Sequence, residues 1–85
     1  DISREDMAVM IHNALYVCGA ELPEAVSIGF FDADLISDYA GSAVADLVEL
    51  GVISGYTDGT FKPQATATRA EAAQIVYKAL MLLSE

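Results

Sequence analysis

Apolar residues recur at three- and four-residue spacing in three stretches of this chain, and each stretch predicts an amphipathic helix. In the first, Met7, Ile11, Ala14, Leu15 and Cys18 make one stripe, predicting a helix over residues 5–17. Ser3 stands at its N-cap, where a hydroxyl accepts the N–H three residues on, and Asp6 stands where an acid reaches back to the cap's own N–H. Gly19 marks its end. The second stripe, Tyr39/Ala40, Ala43, Val44, Leu47 and Leu50, predicts a helix over 38–50, capped by Ser37 or Asp38. Gly51 stops it, with Val52 and Ile53 supplying the hydrophobic contact of the stop. The third stripe, Ala72, Ile75, Val76, Ala79, Leu80 and Leu83, predicts a helix over 69–83. Before it, residues 54–63 carry two glycines, an Asp-Gly step and Pro63, which predict a tight ordered loop anchored by Tyr56 and Phe61. Residues 19–29 read as a connector broken by Pro23 and Gly29; Val26, Ile28, Phe30 and Phe31 are expected to tuck against the helices. The predicted fold is all-α: a small three-helix bundle with a Gly-rich loop before the last helix.

The first and third helices echo each other. Ser3-Arg4-Glu5-Asp6 returns 65 positions later as Thr68-Arg69-Ala70-Glu71, and across thirteen aligned pairs Arg, two Ala and one Leu are identical. Such an echo predicts a repeat architecture, in which one unit does not bury its own apolar face.

Composition narrows the function classes. At 85 residues and 54% hydrophobic, the chain has room for one small domain or a slice of a repeat array. Its net charge of −9 disfavours nucleic-acid phosphates and anionic membrane surfaces alike, and no apolar run approaches the roughly 18 residues of a membrane span. Cys18 is the sole cysteine, so it forms no internal disulfide and is expected on the apolar side of the first helix. The chain starts without a basic and apolar leader and reads as a fragment of a longer protein.

The arginines carry the functional clue. Only four cations are present, Arg4, Lys62, Arg69 and Lys78. Both arginines fall at the first helical position, where the helix dipole disfavours a cation by about 0.3–1 kcal/mol. Two corresponding placements call for a compensating partner: a carboxylate of the protein itself, or an external anion held by guanidinium and free helix-terminal N–H groups. Other chemistry is poorly supported. Asp32, Asp34 and Asp38 begin like a calcium loop, but Ser37 and Ala43 stand where Gly and Glu belong, so loop solvation and capping fit them better. His12 reads as a helix-surface or groove-edge residue. No nucleophile–His–acid set, Cys/His cluster or phosphate loop is present, so the chain predicts neither an enzyme nor a metal or cofactor site.

From Phe30 to Leu80 the chain resembles a complete S-layer homology (SLH) motif. The resemblance rests on Phe30-Phe31-Asp32, on Ala43-Val44, Leu47 and Leu50-Gly51-Val52-Ile53-Ser54-Gly55-Tyr56, on Asp58-Gly59-Thr60-Phe61-Lys62-Pro63, and on Thr68-Arg69-Ala70-Glu71. Residues 1–18 look like the last helix of a preceding motif, so the chain divides into 1–18, the 19–29 connector and 30–83. The resemblance implies motifs packed in threes around their Thr-Arg-Ala-Glu helices. It implies grooves that hold a pyruvylated secondary cell-wall polysaccharide, and secretion to the bacterial cell surface, in the S-layer or cell wall. It maps ligand contacts onto Arg69, Ser54 and Arg4, with Gly55 and Thr68 beside them. Tyr39 stands where the family often has Trp. The implied function is a non-covalent wall anchor; the alternative is a structural module for self-assembly without a carbohydrate ligand. Expected partners are the polysaccharide and neighbouring motifs or a second copy, with no nucleic acid or membrane.

Overall fold

Ser3 is extended, and its Oγ accepts the Asp6 N–H at 3.2 Å, so helix α1 begins one residue earlier than expected and spans Arg4–Val17. It belongs to a computed structural model that describes residues 2–22 and 29–84; Val26 and Ile28 lie outside that range. At its end, Gly19 takes φ +83°, and the Gly19 and Ala20 N–H groups close on the Tyr16 and Leu15 carbonyls at 3.0 Å each. That pair of bonds is the glycine stop read from sequence. A single 3-10 turn, Ala33–Leu35, follows the connector.

Helix α2 is Gly41–Glu49, starting three residues later than expected, with Ala40 as N-cap and neither Ser37 nor Asp38 capping it. The reason lies on another element. Glu5 of α1 is buried and accepts both the Ser37 N–H (2.8 Å) and the Ser37 hydroxyl (2.7 Å), which holds residues 37–40 in a turn. Tyr39 is drawn outward by the same acids. Its hydroxyl donates to Asp6 (2.6 Å) and Glu5 (3.1 Å), leaving the residue 63% exposed instead of in the buried stripe. Hydrogen bonding to both carboxylates and burial push its phenol up to about 12. Asp6 is thereby turned towards Tyr39 and not back to the cap. The α2 stop follows expectation: Gly51 has φ +76°, and Val52 N–H reaches the Leu47 carbonyl at 2.9 Å. Helix α3 spans Arg69–Leu83, as the pattern predicts, and Thr68 and Glu71 form a reciprocal capping box.

α1 packs against both α2 and α3, while α2 and α3 do not pack directly on each other. The core joins Met7, Ala8 and Leu15 of α1 to Val44 and Leu47 of α2, Ile75 and Ala79 of α3, and Val52, Ile53 and Phe61 between the helices. Phe30 packs on Phe61 with ring centroids 5.3 Å apart, but Phe31, expected inside, is exposed and lies over Gly59. Only part of the α3 stripe is sheltered: Val76, Leu80 and Leu83 stay exposed. With Ile11, Leu15 and Cys18 they line an apolar groove of about 200 Å³ between α1 and α3. Cys18 stands on this apolar side of α1, as expected, and is exposed there. No helix among the described residues is long and apolar enough to cross a membrane.

Candidate functional site

The glycine loop is built by hydrogen bonds that its sequence dictates locally and by one clamp from a distance. Asp58 accepts the Thr60 N–H (3.0 Å) and hydroxyl (2.6 Å), the turn a side-chain carboxylate makes with its own backbone. Those two bonds, the hydroxyl's first, hold its carboxyl below the usual range. Tyr56 N–H meets the Thr60 carbonyl at 2.8 Å and closes the loop. The clamp is Asp32, whose two carboxylate oxygens accept the Phe61 and Lys62 N–H groups at 2.9 Å each. Burial pushes the Asp32 carboxyl up, but those N–H groups outweigh it and the net direction is down. The clamp also holds Lys62 at φ +57°, a conformation that side chains other than glycine rarely adopt. Sequence reading left Asp32 as a solvated or capping acid; its place in the Phe-x-Asp element was the available signal.

Gly55 is required for a steric reason. A Cβ there would lie 2.3 Å from the Phe30 ring and 2.7 Å from the Thr60 carbonyl oxygen. The close approach presents Ser54 and Gly55 on an open wall. Among the described residues neither of their backbone N–H groups has an acceptor.

Arg4 meets this wall from α1. Its Nε donates to the Phe61 carbonyl (2.8 Å), one terminal nitrogen to the Ser54 carbonyl (2.7 Å), and the other to Glu71 of α3 in an ion pair. Its guanidinium also lies 4.6 Å from the Tyr56 ring centroid and 4.7 Å from that of Phe61, within cation–π range. The residue is 3% exposed. Of the two compensations open to Arg4, the structure therefore shows the internal one. The α1 N–H groups are engaged as well: Arg4 and Glu5 donate to the Ala65 and Pro63 carbonyls at 2.9 and 3.0 Å. Three of the five guanidinium N–H groups are taken, which leaves two. Glu71 is held below the usual carboxylate range. Burial raises it, but the Thr68 N–H, the Tyr56 hydroxyl (3.0 Å) and Arg4 together prevail. The Tyr56 phenol is pushed up by its own burial and by Glu71.

These groups surround a cleft of about 110 Å³ whose polar lining is Arg4, Ser54, Gly55, Tyr56, Glu71 and Lys78, with Gln74 at its side. The sequence-predicted residues thus divide. Arg4, Ser54 and Gly55 come together. Thr68 lies outside the lining and acts on it by fixing Glu71, whose N–H its Oγ1 accepts at 3.1 Å. Arg69 is exposed and outside the lining, and among the described residues its side chain makes no hydrogen bond or ion pair. Helix phase explains the split: Glu71, Gln74, Ile75 and Lys78 share one face of α3, and Arg69 is about half a turn away from it. Sequence reading missed Tyr56, Glu71 and Lys78 as cleft residues. His12, read as a groove-edge residue, bridges α1 to the buried Asp46 of α2 at 2.7 Å and takes no part in the cleft.

Comparison with known proteins agrees with the loop and cap elements that build this cleft. Residues 30–73, just over half the chain, match the S-layer homology domain. The surface-layer 125 kDa protein of Lysinibacillus sphaericus is 44% identical over 72 residues, covering 85% of this chain and 6% of that protein. Exoglucanase XynX of Acetivibrio thermocellus is 38% identical, over 89% of this chain and 7% of its own length. The cellulosome-anchoring protein of the same organism is 34% identical over the whole chain and 19% of its own length. This chain therefore spans less than a fifth of these relatives. No solved structure gives a significant match. The chain belongs to the S-layer homology domain family.

Proposed function

We propose that this chain is a non-covalent anchoring module of the bacterial cell surface that docks a pyruvylated secondary cell-wall polysaccharide in the cleft beside Ser54 and Gly55. One observation carries the reading. The chain has four cations against thirteen acids, yet Arg4 and Lys78 line this cleft and Lys62 lies 4.8 Å from the ring of Tyr56, which forms its wall. Among the described residues Glu71 is the sole acid in the lining. An acidic chain thus concentrates its scarce positive charge at one polar recess. The unengaged N–H groups of Ser54 and Gly55, the Ser54 hydroxyl and the two remaining Arg4 donors suit a ketal carboxylate. Thr68 serves the site through the cap that orients Glu71. The relatives named for S-layer and cellulosome anchoring support the cellular role. The exoglucanase activity in one relative's name belongs to a protein of which this chain covers 7%, and the proposed role has no catalytic step.

The test is a pull-down of the folded chain with purified wall polysaccharide before and after chemical removal of its pyruvate. Binding should require the pyruvate; equal retention by both polymers would refute the reading. The apolar groove between α1 and α3 favours a second reading, assembly with a neighbouring motif or a second copy, without a sugar ligand. Light scattering that shows stable oligomers, together with no retention on either polymer, would select it.

A further inference from the structure

We propose that Lys78, and not the motif's own Arg69, is the counter-charge for the carboxylate bound in this cleft. The inference rests on the polysaccharide reading above and names the residue that would make it specific for acid. Lys78 is half-buried and lines the same recess as Ser54 and Gly55. Among the described residues its ammonium makes no hydrogen bond or ion pair, despite the acidity of the chain. Its neighbours one turn away on α3 are Gln74, Ile75, Met81 and Leu82, none of them acidic, so the helix supplies no local partner either. Long helical side chains lean towards the helix N-terminus, which carries the ammonium back along α3 in the direction of Glu71 and the Ser54 wall.

The electrostatics point the same way. Arg4 and Glu71 lie in direct contact and cancel as charges. Among the described residues the lining then keeps one uncompensated unit charge, and it belongs to Lys78. Arg69 is on the opposite side of α3, so its guanidinium and a carboxylate at Ser54 do not share one site. The repeat supports the assignment too. The α1 position matching Lys78 is Asn13, exposed and uncharged, so the lysine is not a requirement of the repeated helix. An ammonium is a compact charge with three donors and suits a small carboxylate without needing a flat two-point fit.

The experiment compares Lys78→Gln, Lys78→Arg and Arg69→Gln in the full chain, each checked for helical content by circular dichroism. Affinity for the pyruvylated polysaccharide is then measured by calorimetry. Lys78→Gln should weaken binding about tenfold, roughly 1.4 kcal/mol, and abolish the preference over depyruvylated polymer. Lys78→Arg should restore most of it, and Arg69→Gln should change it less than about twofold. Loss with Arg69→Gln and none with Lys78→Gln would overturn the inference while leaving the polysaccharide reading in place. If the wild-type chain retains no polymer, that reading fails, and a small probe decides the rest. 2,2-Dimethoxypropanoate, the methyl ketal of pyruvate, should move the NMR signals of the Lys78 side chain, and an unmoved Lys78 overturns the inference.

Discussion

Arg4 and Arg69 occupy equivalent places in the repeat, and the same substitution should have opposite consequences at the two. Arg4→Met keeps most of the aliphatic volume but removes every polar contact of the guanidinium. Glu71 then loses its ion-pair partner, and the Phe61 and Ser54 carbonyls lose donors. Breaking a buried pair costs about 3–5 kcal/mol. The Glu71 side chain is 23% exposed, so water recovers part of that and the lower end applies. A domain of this length has roughly 4–13 kcal/mol of stability in total, so about 3 kcal/mol is a large share of it. Arg69→Met removes an exposed side chain with no partner among the described residues, and its effect should stay within about 0.5 kcal/mol. Relief of a cation at a helix N-terminus offsets part of even that. Urea unfolding followed by circular dichroism reads both, and a cycle with Glu71→Gln isolates the ion pair, with an expected coupling of about 1–3 kcal/mol. A loss of less than about 1 kcal/mol in Arg4→Met, or equal stability of the two arginine variants, would refute the buried role of Arg4.

Two further outcomes follow from the loop and the cap. Gly55→Ala should destabilise by about 1–3 kcal/mol, because the new methyl meets the Thr60 backbone as well as the Phe30 ring, and thermal unfolding should show a lower Tm; an unchanged Tm would remove the steric account of this glycine. Glu71 has a folded pKa below its ordinary 4.5, so its contribution is fully present above that value and is lost as pH falls through the folded pKa. Stability should therefore decline once the pH drops below about 4.5, and Glu71→Gln should flatten that decline in melts recorded across the acid range.

What could be read from the residues, and what could not, depends on where each hydrogen bond ends. α3 was legible to the residue because its cap partners, Thr68 and Glu71, are three positions apart. The two glycine stops were legible for the same reason. The α2 start was not, because the acceptor that takes Ser37 is Glu5, thirty-two positions away on α1. Tyr39 has the spacing of a core residue, and acids from α1 draw it out. For the cleft, the recurring arginines divide: Arg4 lines it, and Arg69 lies on the other face of α3. The motif makes the two equal, but only Arg4 has the glycine loop packed against it. Lys78 stayed invisible because nothing in a helical pattern distinguishes a solvated lysine from one that faces a recess.

The guanidinium on the cleft wall comes from residue 4, while the stretch that defines family membership is 30–73. Sequence recurrence and physical completeness are thus out of step by one helix. A chain trimmed to residues 30–73 would keep the Ser54 turn and Glu71 but lose both Arg4 and Lys78, leaving the Glu71 carboxylate unneutralised in the cleft. Engineered anchors built from such units therefore need to be cut ahead of the helix preceding each motif, and not at the motif's first residue.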